Sequence, residues 1–397
     1  MDIIVKINDF VNGIVWGVPL LVLIFFTGVF FTFRLDFLQF RHPVILVKKT
    51  VVAAFRKKDE CVPAPGELSS FQAAMTSVSA IVGSGNIAGV ATAIVMGGPG
   101  ALFWMIVAAF FGMASKFAEI ALGIKYREFN ADGSVRGGAM YYIANGLGQK
   151  WLAMVFALLV IPFAFVISAV VDTNTIALTL YDHFNVPTAI SGIVLAALVG
   201  LIVFGGVKKI GYVSSLVAPF MGAAYILSGL LVILINIQHV PAALAEIIRC
   251  AFAPTALAGG TVGSVFLCIK SGVARGMYSN EAGLGTAAMV HSGAKVPHPV
   301  EQAVWGPVEV FLDTVLVCSI TALVIVLSGL WNTGIDGASL TVAAFQKMLP
   351  GEIGTIISLG AVVLFGFTCL ISYYVYAERA AEYIFGEKCK KIIKVLR

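Results

Sequence analysis

Charged residues are scarce in this sequence. Asp, Glu, Lys and Arg make up only 12% of its 397 residues, whereas an ordinary soluble domain contains about 25%. Hydrophobic residues make up 59%. They form blocks such as 101–124 and 211–237, which exceed the roughly 20 apolar residues that a helix needs to cross a bilayer. The composition therefore excludes a soluble fold and predicts an all-α polytopic membrane protein.

Paired cysteines and catalytic motifs are lacking as well. The six cysteines occur singly, so they indicate neither a disulfide framework nor a zinc site. There is no nucleophile elbow or phosphate-binding loop, and the five histidines are predicted at span ends or in loops. The net charge of +5 comes from basic residues at the ends of apolar blocks, as in membrane proteins. We expect no enzyme, no nucleic-acid partner and no organic cofactor.

The apolar blocks predict nine spans within a single transmembrane domain, 1–397. The first block lacks the pattern of a signal peptide, so we expect it to be retained as a span. The segment Pro241–Phe252 is too short to span and is expected to lie at the membrane interface. The nine predicted spans are 12–33, 69–97, 101–124, 151–180, 188–205, 211–237, 257–292, 300–330 and 352–385.

Basic residues are distributed unevenly between alternate loops. Cytoplasmic loops carry the excess of Lys and Arg, and here one side holds nineteen of them while the other holds three, Lys6, Arg249 and Lys347. We therefore predict a plasma-membrane protein with its N-terminus outside and its basic tail, 388–397, in the cytoplasm. The nineteen are Arg34, Arg41, Lys48, Lys49, Arg56, Lys57, Lys58, Lys125, Arg127, Arg136, Lys150, Lys208, Lys209, Lys295, Lys388, Lys390, Lys391, Lys394 and Arg397.

A short motif, Asn-x-Ala-Gly-x-x-Thr-Ala, occurs twice, starting at Asn86 and at Asn280 with an offset of 194 residues. Four predicted spans separate the two copies, so the repeating unit has five helices, and this odd number makes the second copy run opposite to the first. Inverted repeats whose helices are interrupted by glycine and polar residues are typical of secondary transporters. Close packing of small residues is the alternative explanation.

The first copy of the motif follows a probable helix break at Gly83 and Gly85. Two glycines permit non-helical backbone dihedrals and would free N–H groups at the positive end of a half-helix, where a carboxylate is favoured. Freed carbonyls of the other half-helix could coordinate Na⁺. The alternative is that the two glycines serve helix packing alone. We divide the chain into an extra helix and loop, 1–68, a first repeat, 69–237, and a second repeat, 257–397.

Three longer motifs resemble the alanine/glycine:cation symporter family, of the sodium:alanine symporter type. They are GSGNIAG at 83–89, GGPGALFWM at 97–105 and RGMYSNEAGLG at 275–285, and the resemblance extends from the first span to about Glu378. It implies a LeuT-like five-plus-five inverted repeat preceded by one extra helix, Na⁺ or H⁺ as coupling ion, and alanine or glycine as substrate. That plan needs eleven spans, so we expect the second repeat to lack its last two helices.

The resemblance also implies binding residues at the two breaks and on the ninth span. A sodium site is expected from Ser84, Asn86, Thr368 and Ser372 with backbone carbonyls of the second span. The expected substrate-binding residues are Gly83, Ser84, Gly85, Asn86, Asp172, Asn174, Ser279, Asn280 and Tyr373.

Two departures from the family pattern leave the substrate open. Family members usually have Gln where this chain has Asp172, and Gly-Trp-Ser-Tyr-Tyr where it has LISYY at 370–374. A different, cationic amino acid is therefore an alternative substrate. A sensor or channel that binds an amino acid without pumping it is a second alternative.

Ionisable residues within spans cost at least ~2.5 to 3.5 kcal/mol each at the membrane centre, so each needs a reason. Asp172 could pair with a substrate ammonium, a cation or a proton, or it could lie in a wet vestibule near Asp182 and His183. Lys116 and Glu119, three residues apart on a helix, are expected to pair with each other.

Five further charged residues are candidates for gating or structural pairing. Lys270, Arg275 and Glu281 surround the second break, where they could form a gate or neutralise one another. Glu309 and Asp313 are four residues apart on the eighth span, so they need a cation, a proton or a basic neighbour such as Arg275. For these two carboxylates we favour a structural ion-pair network.

Overall fold

The computed structural model describes residues 5–6, 13, 17–55, 68–130, 133–253 and 261–386. The predicted basic tail at 388–397 lies outside this part of the chain, as do most residues before 17. Helices dominate the described residues. One two-stranded antiparallel sheet, β1 (Glu128–Phe129) with β2 (Val135–Arg136), interrupts them.

The chain begins with an apolar helix and a row of short helices, and then enters a broken span. The first half of that span starts with a capping box, in which the Ser69 and Gln72 side chains each accept a hydrogen bond from the other residue's N–H. The two halves, Ser70–Ile81 and Gly85–Gly97, are bent by 47°. The helices are α1 (Val18–Arg34), α2 (Leu38–Arg41), α3 (Pro43–Val47), a π-helical turn (Lys48–Val52), α4 (Ala53–Phe55), α5 (Ser70–Ile81), a π-helical turn (Gly85–Gly89) and α6 (Val90–Gly97).

The rest of the first half follows as long helices joined by short connections. The fourth predicted span contains a π-helical segment in its middle. These helices are α7 (Ala101–Lys125), α8 (Ala139–Asn145), α9 (Lys150–Phe163), the π segment (Ala164–Asp172), α10 (Thr173–Phe184), α11 (Thr188–Val203), α12 (Gly206–Ile235) and α13 (Val240–Phe252). The last of these occupies the position predicted for an interfacial helix.

The second half contains another broken helix and two long runs. Its elements are α14 (Thr261–Asn280), α15 (Ala287–His291), α16 (Pro299–Ala303), α17 (Trp305–Val310), a π segment (Phe311–Cys318), α18 (Ser319–Ser328), α19 (Gly337–Met348) and α20 (Ile353–Phe385). Each of the nine predicted spans overlaps a helix. By length and composition, five helical runs in the described residues can cross a membrane, or six with the bent pair α5 and α6, while α1 and α11 are shorter apolar helices.

The two broken helices pack against each other in opposite directions. α14 packs along α6, and α15 packs along α5. The backbone confirms this direction, because Leu68, just before α5, bonds to residues that follow α15: its N–H donates to Gly293 O at 3.0 Å, and its carbonyl accepts from Lys295 N at 2.8 Å. The two copies of the motif therefore lie at two breaks that face each other.

α7 lies at the centre of the bundle, in contact with α14, α1 and α13 to α17. Its close approach to α14 depends on Gly272, where an added Cβ would lie 2.3 Å from the carbonyl oxygen of Ala101. At the opposite end of α7, Arg127 donates to the carbonyls of Ser292 at 2.8 Å and Ala294 at 2.7 Å. The helix thus holds both halves of the second broken helix.

Replacing Gly272 with alanine is expected to destabilise the protein by about 1 to 3 kcal/mol, because the new methyl group forces backbone apart at the contact between α7 and α14. Gly222 in α12 is the matched control, since it also lies inside a helix but a Cβ there would meet nothing within 4 Å. Gly222→Ala should be neutral or stabilising by up to about 1 kcal/mol. Melting of the purified variants in detergent compares them, and equal melting temperatures would contradict the packing argument.

Candidate functional site

The first break is held in shape by Asn86. Its side-chain Oδ1 accepts a hydrogen bond from Gly83 N at 2.9 Å, which satisfies one of the N–H groups that the break frees. Its Nδ2 donates to Asp313 Oδ1 at 2.6 Å. The motif asparagine therefore both shapes the break and ties it to the second half of the chain.

Asp172 ends the π segment of the fourth span and contacts this break directly. Ser84 Oγ donates to Asp172 Oδ1 at 2.5 Å. The other carboxylate oxygen, Oδ2, is buried and has no hydrogen-bond partner by distance and angle among the described residues, and the Cys369 thiol and the Ser84 amide lie beside the carboxyl group. Because Asp172 is only 2% exposed, it does not lie in the wet vestibule considered as an alternative.

The second break begins at Glu281, which has a left-handed backbone (φ 54°). Its carboxylate is buried and accepts three hydroxyl hydrogen bonds, from Tyr373 at 2.5 Å, Tyr376 at 2.9 Å and Thr286 at 2.6 Å. These contacts bring the ninth span to the break. Glu281 thus has hydroxyl partners in place of Lys270 or Arg275, whose neutralisation of Glu281 was one of two alternatives, the other being a gate.

Asp313 connects the two copies of the motif. Besides Asn86, it accepts from Ser279 Oγ at 3.0 Å and from Thr314 Oγ1 at 2.7 Å, both at Oδ2. Thr314 in turn accepts from Asn280 Nδ2 at 3.0 Å. The two motif asparagines thus meet at one buried carboxylate, the first directly and the second through a threonine.

Lys116 and Glu119 do not form the predicted pair. Lys116 Nζ donates to Asn280 O at 2.9 Å and lies 3.5 Å from Glu309 Oε2, while Glu119 accepts from the backbone amides of Gly283 at 2.5 Å and Gly285 at 3.1 Å. Both side chains point at the second break, because it offers a carbonyl on one side and amides on the other.

A structural ion-pair network was the favoured interpretation of Glu309. Glu309 lies in such a network, but Arg275 is not one of its partners. Its Oε1 lies 2.9 Å from His291 Nε2, and Ser77 donates to its Oε2 at 2.8 Å. His291 is fully buried and is the last residue of α15, so it lies at a span end as predicted. The π segment after α17 lets Glu309 and Asp313 face different partners, because it shifts the register of the residues that follow.

The whole sequence matches the model of the sodium:alanine symporter family, residues 1–397. The chain belongs to the sodium:alanine symporter family. It is 40% identical to the sodium/alanine symporter AgcS of Methanococcus maripaludis, over 100% of this chain and 86% of that one. It is 36% identical to a Bacillus subtilis protein named "Probable sodium/glutamine symporter GlnT", over 100% and 80%.

Solved structures share the fold at low identity. A mutant of the manganese transporter of Eremococcus coleocola superimposes with a TM-score of 0.52 at 11% identity, over 82% of this chain and 69% of that one. The family and the fold together confirm a multi-pass membrane transporter, an amino-acid symporter and not an enzyme.

The structure brings most predicted site residues of this symporter together, but not all of them. Asn174 is exposed, because it lies two residues beyond Asp172 on a helix and so on the opposite face. Thr368 donates to the carbonyls of its own helix, Leu364 O at 3.0 Å and Phe365 O at 3.1 Å. Ser372 is fully buried, and its Oγ has no partner in the described residues.

Lys270 and Arg275 face a cleft rather than the buried carboxylates. The cleft has a volume of about 940 Å³, and α1, α9 and α14 form its walls, which are mostly apolar. Tyr278 and Thr286, beside the second break, also line it. The two basic side chains therefore line the same cleft as Thr286, which donates to Glu281.

Several residues of the site were not predicted. Thr286 is the threonine of the second motif copy, so the repeat itself could have indicated it. Tyr376 lies one helical turn after Tyr373 and shares its face. Cys369 gave no signal, since a cysteine in an apolar block is usually a packing residue; here its Sγ contacts Ala80 O at 3.2 Å, just before the first break.

Negative charge dominates the interior of the symporter around the breaks. Lys116 and His291 are buried bases that contact carboxylates beside the breaks, and buried Arg379 pairs with Glu382 farther along α20. Isolated charges in such surroundings are neutralised by counter-ions or protons. No group of three or more His, Cys, Asp or Glu residues suited to a metal occurs in the described residues. The buried carboxylates beside the breaks are Glu119, Asp172, Glu281, Glu309 and Asp313, and Glu378 and Glu382 are buried farther along α20.

Proposed function

We propose that the protein couples the uptake of a small neutral amino acid, such as alanine or glycine, to Na⁺. The observation that carries the proposal is the group of buried carboxylates at two helix breaks that face each other, because a bound cation or protons must neutralise them and broken helices of transporters bind coupling ions at such positions. The family and the name of the relative AgcS support Na⁺ as that cation.

Asp172 is the proposed contact for the substrate ammonium. Its Oδ1 lies at the first break beside Gly83 and Ser84, and its buried Oδ2 has no hydrogen-bond partner by distance and angle in the described residues. An ammonium group there would form a charge-assisted hydrogen bond. The substrate carboxylate would then lie towards the Na⁺ ion.

The sodium site of Ser84, Asn86, Thr368 and Ser372 stays a prediction. Ser372 supports it best, since its buried hydroxyl oxygen is not engaged in the described structure. Oxygen ligands of this kind suit a hard cation such as Na⁺. Alternating access would follow if Na⁺ binds more tightly to the conformation that accepts substrate.

The substrate is tested by competition in proteoliposomes. Uptake of labelled alanine is measured in the presence of unlabelled alanine, glycine, glutamine or lysine. We expect alanine and glycine to compete best. Stronger competition by glutamine would indicate that glutamine is the substrate, as the name of the relative GlnT suggests. Competition by lysine would favour a cationic amino acid as the substrate. Saturable binding of alanine without any uptake would replace the symporter with a sensor.

The inverted five-helix repeat, with 69–237 and 257–397 as its units, is part of the same proposal. The opposite directions of the two broken helices support it. The orientation predicted from the basic loops also belongs to this proposal. In that orientation, the end of the bundle that carries Lys295 is cytoplasmic.

Labelling of single cysteines tests this orientation. In a background from which the six native cysteines have been replaced, Lys295→Cys and Asn332→Cys probe two exposed positions. A membrane-impermeant thiol reagent added to intact cells should label the cysteine at position 332 and label position 295 only after lysis. The reverse pattern would overturn the orientation.

A further inference from the structure

The third span supplies two charges to the second break. Lys116 and Glu119 lie one turn apart on α7, and Lys116 is fully buried. Lys116 Nζ contacts the carbonyl of Asn280, the last residue of α14. The last carbonyls of a helix lack intrahelical donors and carry partial negative charge, so this position favours a cation.

Glu119 occupies the opposite side of the same break. Its two carboxylate oxygens accept from the amides of Gly283 and Gly285, one each. The break therefore has an ammonium on its carbonyl side and a carboxylate on its amide side. In broken helices of transporters, a free cation and the carboxylate of a solute take these two kinds of position.

We propose that Lys116 and Glu119 act as tethered ions that fill the second break, so that it binds no free cation or solute. The transported amino acid and its ion are then held at the first break, beside Asp172. This inference rests on the proposed function for the identity of the solute, but the occupancy of the second break does not depend on transport.

Removing the tethered ammonium would leave a ligand set for a small monovalent cation. Asn280 O and Glu309 Oε2 both lie against Lys116 Nζ, at 2.9 and 3.5 Å. Both residues are buried, and a serine at position 116 would leave room for the ion and for water that completes its coordination. Hard cations prefer oxygen ligands of this kind. Lys116→Ser should therefore create a Na⁺ site that the natural chain lacks.

The test measures the melting temperature of the purified full chain with increasing Na⁺, with choline replacing Na⁺ at constant ionic strength. The rise in the melting temperature of the wild-type protein with Na⁺ is the baseline, and it reports the ion site that the natural chain already has. Lys116→Ser should gain about 2 °C or more beyond that baseline at saturating Na⁺, because an ion that binds only the folded state stabilises it. The double variant Lys116→Ser/Glu309→Gln should show no additional gain, since the carboxylate ligand is gone.

A Lys116→Ser protein with the wild-type response to Na⁺ would overturn the proposal, and so would a double variant that gains as much as the single one. If the single variant does not survive purification in choline, recovery in NaCl supports the proposal and loss in both salts contradicts it. Because melting is read without transport, a wild-type protein that fails to accumulate alanine would reject the proposed function and leave this test standing.

Discussion

Replacing Asp172 with asparagine is expected to reduce the initial rate of Na⁺-driven alanine uptake by about 10- to 100-fold. Asparagine keeps an oxygen that can accept the Ser84 hydrogen bond, but it loses the charge that would hold the substrate ammonium. A hydrogen bond to a charged group contributes about 1.5 to 3 kcal/mol, and each 1.4 kcal/mol is about a factor of ten. The rates are measured in proteoliposomes at equal protein content.

The control for this variant is Asp182→Asn. Asp182 is exposed, and its carboxylate contacts Ser339 Oγ at 3.4 Å, away from both breaks. The Asp182→Asn variant should transport alanine like the wild type. Near-normal alanine uptake by Asp172→Asn would show that Asp172 does not bind the substrate. If Asp172 selects a cationic amino acid, its replacement by glutamine should change the order of competing substrates, and an unchanged order rejects that alternative.

Replacing Lys116 with methionine is expected to lower the free energy of unfolding by about 3 to 5 kcal/mol. The variant keeps most of the side-chain volume but leaves the Glu309 carboxylate buried without its ammonium partner, which costs this much in known buried pairs. Chemical unfolding in detergent gives the value. Lys209→Met is the matched control, because Lys209 is exposed and its Nζ reaches only Leu201 O, at 2.7 Å.

The double variant Lys116→Met/Glu309→Gln separates lost charge from lost packing. Neutralising Glu309, which keeps only His291 and Ser77 as partners once the ammonium is gone, should recover part of the stability, since its buried charge is then absent. A double variant as unstable as Lys116→Met alone would show that the ion pair is not the reason for the loss. If Lys209→Met lowers the free energy of unfolding as much as Lys116→Met does, the loss is a general effect of removing a lysine.

The positions of the helices and of both breaks could be predicted from the sequence. Apolar length marked the spans, and the repeated motif marked Asn86 and Asn280, because glycine and polar residues interrupt an otherwise apolar run there. Ser84, Asp172, Ser279 and Tyr373 were also found at the breaks. These residues stand out because a polar group inside an apolar block needs a partner.

The partners of the charged residues could not be predicted in the same way. Spacing along one helix suggested that Lys116 would meet Glu119, but the second break offers both of them unpaired backbone groups from another helix, which spacing does not reveal. Asn174 was assigned from its place in the family motif, and helical geometry puts it on the exposed face. His291 ends α15, as predicted, but that position did not reveal that it is buried beside Glu309, a residue 18 positions later.

Coupling to Na⁺ is tested most directly by the accumulation of labelled alanine in proteoliposomes, with an inward Na⁺ gradient, with equal Na⁺ on both sides, and with a proton gradient in place of Na⁺. We predict transient accumulation above equilibrium with the inward Na⁺ gradient and simple equilibration with equal Na⁺. Accumulation driven by protons alone would replace Na⁺ as the coupling ion. Equilibration that is independent of every cation gradient would contradict symport.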